Sequence, residues 1–344
     1  MKKEHFILGL FILVCLSQSI AQNKRVKYQI TNKIHLDGNE GWDYLTMDDL
    51  ASRLYISHGS MVQVLNTKTR TVAGVIPDTK GVHGIALARE LNKGFISNGK
   101  DTSVTIFEMK TLQFITKIKI TGLNPDAILY DPFSKRVFVF NGRTSNATVI
   151  DAKSNKIIGT IKLPGKPEFS VTDLKGKIYV NIEDKNGICI INANTLKVER
   201  TWPINPGEGP SGLAIDIENH RLFTVCDNKL MVVINSENGK VVTNLKIGEN
   251  VDGVAFDPIL KRIFSSNGDG SLTIVQEESK NTFRILGNLP TQKGARTIAL
   301  NPRTHKIYLP TAEFGEASAP TTEHPHPRPS MRPNTFTILE ISAL

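Results

Sequence analysis

The stretch DAILYDPFSKRVFVFNGRTSNATVIDAKSNKIIGTIKL, residues 126–163, decides the fold class. It contains four short apolar segments, at 126–130, 136–141, 148–151 and 157–163. Asp131-Pro132 begins a turn after the first segment, and Asn141-Gly142 is a dipeptide typical of tight hairpin turns. Short segments with alternating side chains and turn residues between them predict four antiparallel strands rather than helices.

The same pattern recurs along the whole chain. Its marker is a basic residue two positions before an aromatic one, and the seven aromatics follow one another at spacings of 40 to 44 residues. The seven markers begin at Arg53, Lys93, Arg136, Lys177, Arg221, Arg262 and Lys306. A repeat of this length built from short strands predicts an all-β, seven-bladed β-propeller with four-stranded antiparallel blades. We expect each basic residue to pair with the turn before it, as Arg136 with Asp131.

The seventh repeat is one strand short. Only three strands follow Arg296, and the last of them is 334–342. An alternating segment at 28–36 precedes the first repeat and supplies the missing strand. We therefore expect the N-terminal strand to join the last blade and close the ring, because closure removes the open edges of a linear array.

The second strands also carry a family resemblance. Residues 55–58 (Tyr-Ile-Ser-His), 95–98 (Phe-Ile-Ser-Asn) and 264–267 (Phe-Ser-Ser-Asn) resemble the Tyr-Val-Thr-Asn element of the YVTN-repeat propellers. Over residues 28–344 the chain is similar to the YncE-type members of that family. The resemblance implies an exported, WD40-like seven-bladed ring whose biochemistry is mostly unassigned.

The first residues predict export. Lys2-Lys3, an apolar run at 6–16 and a small-residue site ending at Ala21 form the pattern of a cleavable signal peptide. The apolar run is too short to span a bilayer. We expect residues 1–21 to be a signal peptide, residues 22–344 to form a single propeller domain without a membrane span, and the product to be a periplasmic or secreted monomer.

The two cysteines after residue 21 bear on whether a disulfide holds the fold together. Cys189 and Cys226 fall on strands of different blades, so we expect buried free thiols rather than a disulfide.

The formal net charge of +9 makes nucleic-acid binding an alternative function. One basic residue per repeat spreads much of that charge around the ring, so we regard nucleic acid as an unlikely partner.

The mouth of the central channel is the predicted binding site. Strand direction alternates within a blade, so the starts of the first strands and the ends of the second strands meet on one face, and channel mouths are customary ligand sites. The candidate ligand-binding residues are Trp42, Asp43, His58, His83, Asp126, Glu168, Asp252 and Arg296. Solvated loop carboxylates without a ligand are the alternative explanation.

A long loop in the last blade is predicted to lie on the same face. Residues 312–333 join the second and third strands and contain a Pro- and His-rich run. Loops of this length are usually functional or disordered, and the prolines favour an extended lid. The metal-ligand candidates are His83, Asp126, Glu168, His324 and His326, although no spacing among them is diagnostic.

Three functions follow from these observations. The first is a binding or scaffold propeller that holds a small ligand or a protein partner at the mouth. The second is a metal-assisted lyase or lactonase-like hydrolase, by analogy with ring-shaped enzymes that hold a divalent metal ion at this position. The third is nucleic-acid binding through net charge. The sequence identifies no catalytic residue and requires no cofactor.

Overall fold

Seven four-stranded antiparallel sheets form a ring in the computed structural model, which describes residues 27–316 and 329–344. Six blades use four consecutive strands each, in sequence order from the axis outward. The seventh has three consecutive strands from the end of the chain and takes its outer strand from the N-terminus. The all-β propeller fold and the number of blades are therefore confirmed. Two short 3₁₀ turns, Arg89–Leu91 and Glu183–Lys185, are the helical elements of the described residues.

The strand bounds follow the repeat. The first strands are β2 (Trp42–Asp48), β6 (Val82–Ala88), β10 (Pro125–Asp131), β14 (Pro167–Thr172), β18 (Pro210–Asp216), β22 (Val251–Asp257) and β26 (Ala299–Asn301). The second strands are β3 (Arg53–His58), β7 (Lys93–Asn98), β11 (Arg136–Asn141), β15 (Lys177–Ile182), β19 (Arg221–Cys226), β23 (Arg262–Asn267) and β27 (Lys306–Thr311). The third strands are β4 (Met61–Asn66), β8 (Ser103–Glu108), β12 (Asn146–Asp151), β16 (Gly187–Asn192), β20 (Leu230–Asn235), β24 (Ser271–Ser279) and β28 (Thr337–Ala343). The outer strands are β5 (Thr71–Ile76), β9 (Phe114–Lys119), β13 (Lys156–Lys162), β17 (Lys197–Pro203), β21 (Val241–Lys246), β25 (Thr282–Pro290) and β1 (Tyr28–His35).

The core lies between the blades, around the second and third strands. Phe138 on β11 and Ile178 on β15 are fully buried and belong to one apolar cluster that joins blades 3 and 4. Outer strands such as β13 are mostly exposed, with Ile161 the buried residue of that strand, because they lie at the rim of the ring. Burial on both faces explains why the second strands read as nearly continuous apolar runs.

The N-terminal strand closes the ring, as predicted. β1 pairs antiparallel with β28 from Tyr28 opposite Ala343 to His35 opposite Thr337. The backbone N–H and C=O groups along that edge of β28 thereby find partners inside the molecule, as satisfied sheet edges require.

The basic residues that open the second strands bind across the blade boundary. Arg53 donates to the Lys110 carbonyl at 3.1 Å, Lys93 to the Lys153 carbonyl at 2.8 Å and Arg136 to the Asn194 carbonyl at 2.9 Å. Each acceptor lies in the turn between the third and outer strands of the next blade. The expected pairing of Arg136 with Asp131 is therefore wrong. These long side chains reach turn carbonyls that no ladder partner satisfies.

The boundary between the last blade and the first contains a buried carboxylate. The side chain of Glu340 on β28 is fully buried and accepts hydrogen bonds from Arg70 at 2.9 Å, Lys306 at 3.0 Å and Asn32 at 2.8 Å. Burial opposes its ionisation, but the hydrogen bonds from Arg70 and Lys306 outweigh burial and lower the pKa of Glu340. This carboxylate joins β1, β27 and the first blade at the point where the ring closes.

Several sequence predictions fall partly or wholly outside the described residues. The signal peptide at 1–21 and the candidate ligands His324 and His326 lie there, so they stay predictions.

Cys189 and Cys226 are free and buried, as expected, and burial raises the pKa of each thiol to about 12. Within residues 27–316 and 329–344 no helix has the length and apolar character needed to cross a bilayer.

Replacing the closure carboxylate should destabilise the fold. We expect Glu340→Gln to lower the free energy of unfolding by about 2 kcal/mol, because the charge-assisted hydrogen bonds from Arg70 and Lys306 are weakened while both cations keep contact with water. Urea unfolding followed by circular dichroism measures the change. The matched control is Glu278→Gln, which breaks the exposed pair of Glu278 with Arg284 and should cost less than about 1 kcal/mol. Equal losses in the two variants would contradict a special role for Glu340.

Candidate functional site

The register of the first hairpins identifies the residue that each blade places at the mouth. Trp42 pairs with His58, and the equivalent pairs are Val82 with Asn98 and Pro125 with Asn141. In each blade the residue after this first-strand position lies at the mouth. In blades 1 to 6, in order, these residues are Asp43, His83, Asp126, Glu168, Ser211 and Asp252. Arg296 precedes β26 in the seventh blade. The member from the first blade is therefore Asp43 and not Trp42.

Serine hydroxyls on the second strands hold the mouth positions in place. Ser57 accepts the backbone N–H of Asp43 at 3.0 Å within the same blade. Ser97 donates to the carbonyl of Asp126 and Ser266 to the carbonyl of Arg296, each across a blade boundary. The serine at the third position of the repeat element thus fixes the backbone beneath the mouth side chains.

Asp43, His83 and Asp126 converge. The His83 Nδ1 lies 2.6 Å from an Asp43 carboxylate oxygen and 3.7 Å from an Asp126 carboxylate oxygen. One ligand atom from each residue lies within 4.8 Å of the others. Burial alone would lower the pKa of His83, but its hydrogen bond to Asp43 and the nearby negative charges raise that pKa to about 9. His83 is therefore an imidazolium at neutral pH.

Two further ion pairs complete the mouth. Arg296 Nε donates to Asp252 at 2.7 Å, and Lys166 Nζ lies 2.9 Å from Glu168 and also binds Glu183. Sequence reasoning missed Lys166, which lies in the connection before β14. The sequence signal that could have found Lys166 is its position two residues before Glu168, a predicted mouth residue.

The mouth carboxyls are harder to ionise than ordinary ones. Burial, followed by the charge of Asp126, raises the pKa of Glu168 to about 8 although Lys166 opposes the shift. Burial and the charge of Asp43 raise the pKa of Asp252 to about 6 against the attraction of Arg296. Burial likewise raises the pKa of Asp126 to about 6, with His83 opposing. At neutral pH burial therefore keeps Glu168 largely protonated, and Asp126 and Asp252 take up protons more readily than ordinary carboxyls do.

An aromatic pair forms a floor beneath these groups. Tyr44 and Phe169 directly follow the mouth positions Asp43 and Glu168, and their ring centroids lie 5.4 Å apart. A cavity of about 40 Å³ remains beside them within the channel. Burial and the charges of Asp126 and Asp43 raise the pKa of Tyr44. Sequence reasoning missed this pair, although the equivalent residues of the other blades, Gly84, Ala127, Gly212, Gly253 and Thr297, are all small.

Two of the predicted binding residues do not face the mouth. The side chain of His58 is fully buried and donates from Nδ1 to the Gln63 amide oxygen at 3.1 Å. Its ring is tilted against Phe336, with ring centroids 4.1 Å apart. Trp42 packs against Phe336 and Phe314 with ring centroids 5.3 and 6.0 Å apart. The other second-strand ends, Asn98, Asn141 and Asn267, are also buried and donate to Thr105, Thr148 and Thr273 on the third strands. This repeat position therefore ties strands together.

The described ends of the long loop meet beside the mouth face. The Gly315 N–H donates to the Ser330 carbonyl at 2.8 Å, and the Arg332 N–H donates to the Glu313 carbonyl at 2.7 Å. Phe314, between them, contacts Trp42. The base of the loop is therefore a short antiparallel ladder packed on the first blade. Residues 317–328 lie outside the described residues, so the lid stays a prediction.

The comparisons with known proteins support the fold. The chain is similar to a solved structure of Kuenenia stuttgartiensis hydrazine synthase, with a TM-score of 0.70, 17% identity and coverage of 80% of this chain and 94% of that chain. A chain of the mitotic checkpoint complex gives a TM-score of 0.73 at 15% identity, covering 89% and 96% of the two chains. U3-55K gives 0.73 at 8% identity, covering 90% and 97%.

No family model matches the chain, and no curated protein matches it in sequence. Identities this low establish a shared propeller fold alone.

Removing the Asp43 carboxylate should lower the pKa of His83. We expect Asp43→Asn to lower the pKa of His83 from about 9 by at least about one unit, equivalent to ~1.4 kcal/mol, because the hydrogen-bonded negative charge is lost. Histidine NMR titration measures the change. Glu237→Gln, which alters a carboxylate 4.0 Å from the exposed His220, should leave the His83 titration unchanged. An unaltered His83 titration in Asp43→Asn would contradict the assigned hydrogen bond.

Ionisation of the Glu168 carboxyl should lower the free energy of unfolding. Its pKa in the folded protein, about 8, exceeds the ordinary value of 4.5, so its contribution is intact at acid pH and is lost as the pH rises to about 8. We expect Glu168→Gln to match the parent near pH 4.5 and to be more stable by roughly 1–3 kcal/mol above pH 8. Urea unfolding across this pH range tests the prediction. Glu313→Gln, an exposed change on the same face, should show a difference independent of pH.

Proposed function

We propose that the chain is an exported binding propeller of the YVTN-repeat, YncE-type kind, and that its channel mouth holds a small ligand or a group of a protein partner. The sequence resemblance and the predicted signal peptide support the family and the export. The convergence of Asp43, His83 and Asp126 above the Tyr44–Phe169 pair is the observation that carries the binding function. We call the mouth residues Asp43, His83, Asp126, Glu168 and Asp252 above this pair the cup. A concave site with several convergent polar groups is the usual form of a small-ligand site.

The charges of the cup favour a cationic group as the ligand. Burial is the main cause of the raised pKa values of Asp126, Glu168 and Asp252, and repulsion from neighbouring carboxylates adds to it. A positive group that enters the cup stabilises the ionised carboxylates, so its binding releases protons and strengthens as the pH rises through this range. An ammonium or a guanidinium fits this requirement, whether it belongs to a free amine or to a side chain of a partner.

A metal-assisted lyase or hydrolase is the second candidate, and the ligand spacing of Asp43, His83 and Asp126 is the observation that favours it. A metal needs the unprotonated imidazole. With its pKa raised to about 9, His83 must lose a proton near pH 7 at a cost of about 3 kcal/mol. Zinc can meet a cost of this size, whereas the cationic ligand avoids it because His83 stays protonated.

The shape of the molecule agrees with a role in binding. A β-propeller commonly serves as a protein-interaction scaffold, and one similar ring is part of a mitotic checkpoint complex. Nucleic-acid binding draws its support from net charge alone, and the acidic mouth favours cations instead. The mouth therefore supports ligand binding better than it supports either alternative.

Calorimetry with simple amines tests the proposal. We expect 1,4-diaminobutane and L-arginine to bind with a Kd below about 1 mM at pH 8, and to bind more weakly at pH 5.5, where the carboxyls are protonated. Asp126→Asn should weaken this binding at least tenfold, whereas Glu313→Gln on the same face should not alter it.

The divalent ions separate the two candidates. Titration with Zn²⁺ and Mn²⁺, reversed with a chelator, follows under the same conditions. Stoichiometric metal binding that depends on His83, with no heat from either amine, would replace the binding function with the metal-assisted one. The absence of heat from the amines and from the metals alike would contradict a small-ligand cup.

A further inference from the structure

The face opposite the mouth carries exposed apolar side chains at the tips of its turns. The turns between first and second strands lie on this face in all seven blades. Four of them present a large apolar residue that is at least half exposed: Leu50 at 60%, Phe133 at 51%, Leu174 at 50% and Ile259 at 67%. On the mouth face, among the described residues, Leu123 is the comparable case. These four tips belong to blades 1, 3, 4 and 6. They are therefore distributed around the ring and not gathered in one groove.

The same turns are basic. Counted from the end of one strand to the start of the next, the turns between first and second strands hold twelve Lys and Arg against eight Asp and Glu. The turns between third and outer strands, on the same face, hold eight against three. The described connections of the mouth face hold twelve of each. The basic charge that the repeat spreads around the ring is thus concentrated on one face.

Basic residues directly accompany three of the apolar tips. Lys135 follows Phe133 by two positions, Lys175 follows Leu174, and Lys261 follows Ile259 by two positions. Lys135 pairs with Glu90 and remains more than half exposed, whereas Lys261 is held by Asp216 and Glu218. Apolar tips flanked by cations are suited to the boundary between lipid headgroups and acyl chains.

The centre of this face is also apolar. The channel opens here into a funnel of about 560 Å³. Its walls include the side chains of Leu45, Met47, Ile85, Leu87 and Ile128. The exposed apolar tips therefore surround an apolar opening, so the face combines a broad apolar ring with a positive field.

We infer that this face docks on an anionic lipid bilayer, with the four turn tips inserted among the headgroups and the basic turns against their phosphates. A bilayer is flat and wide enough to meet tips on blades 1, 3, 4 and 6 at once. A peptide in the funnel would leave most of the tips in water, and a nucleic acid would use the cations without the apolar tips. Docking in this orientation leaves the acidic mouth facing away from the negative surface. The inference is independent of the ligand proposed for the mouth.

Vesicle co-sedimentation tests the docking. The chain without residues 1–21, none of which belongs to the described ring, is mixed with phosphatidylcholine vesicles with or without about a third of phosphatidylglycerol. We expect binding to the anionic vesicles at ~0.1 M salt and its loss at ~1 M salt, where the Debye length falls to about 3 Å. Replacement of Leu50, Phe133, Leu174 and Ile259 with serine should lower the partition coefficient about tenfold or more.

A matched variant controls for lost apolar surface. The control residues are exposed aliphatic side chains of 39–43% exposure that lie on outer strands, and their replacement with serine should leave vesicle binding unchanged: Val75, Ile115, Ile158 and Ile285. Both variants change exposed residues, and circular dichroism checks that each is folded. Failure of the parent chain to bind anionic vesicles, or equal binding by the tip variant, overturns the inference. So does sedimentation velocity that shows a dimer of the parent chain which the tip variant loses, because the face is then an interface between copies.

Discussion

Closure of the ring by β1 is the constraint on which the rest of the structure depends. The seven blades are separate sheets, so their mutual positions depend on packing between neighbours, and the last boundary completes that packing around the ring. The pairing of β1 with β28 and the buried Glu340 make that boundary from residues at opposite ends of the sequence. The mouth cluster depends on it, since the Thr297 hydroxyl of the last blade donates to the Asp43 carbonyl of the first.

The repeat was readable from sequence because each blade is a local unit. Strand order and blade number follow from alternation, turn residues and spacing, which act over short distances, and closure follows from the strand that the seventh repeat lacks. The errors arose where side chains act over longer ones. Arg136 reaches a neighbouring blade rather than its own turn, and the pairing of Trp42 with His58 moves the mouth position to Asp43. His58 has the chemistry of a ligand, but its burial against Phe336 depends on a residue far away in sequence.

The mouth and the closure boundary use buried carboxylates in opposite ways. Glu340 receives hydrogen bonds from two cations, which lower its pKa and make its charge stabilising. Asp126, Glu168 and Asp252 receive less compensation than their burial and mutual repulsion demand. A protein gains no stability from such a cluster, and groups of this kind are typical of sites arranged for binding or catalysis. The same residue type thus marks structure in one place and a site in the other.

The Tyr44–Phe169 pair joins blades 1 and 4 across the ring and narrows the channel beneath the mouth. A guest too large for the space of about 40 Å³ beside the pair must leave by the mouth through which it entered, so it cannot be replaced by passage through the ring. Arrival of one ligand then waits for departure of the previous one. Residence time in the cup consequently sets the exchange rate, and the depth above the aromatic pair limits how much of any guest is taken in.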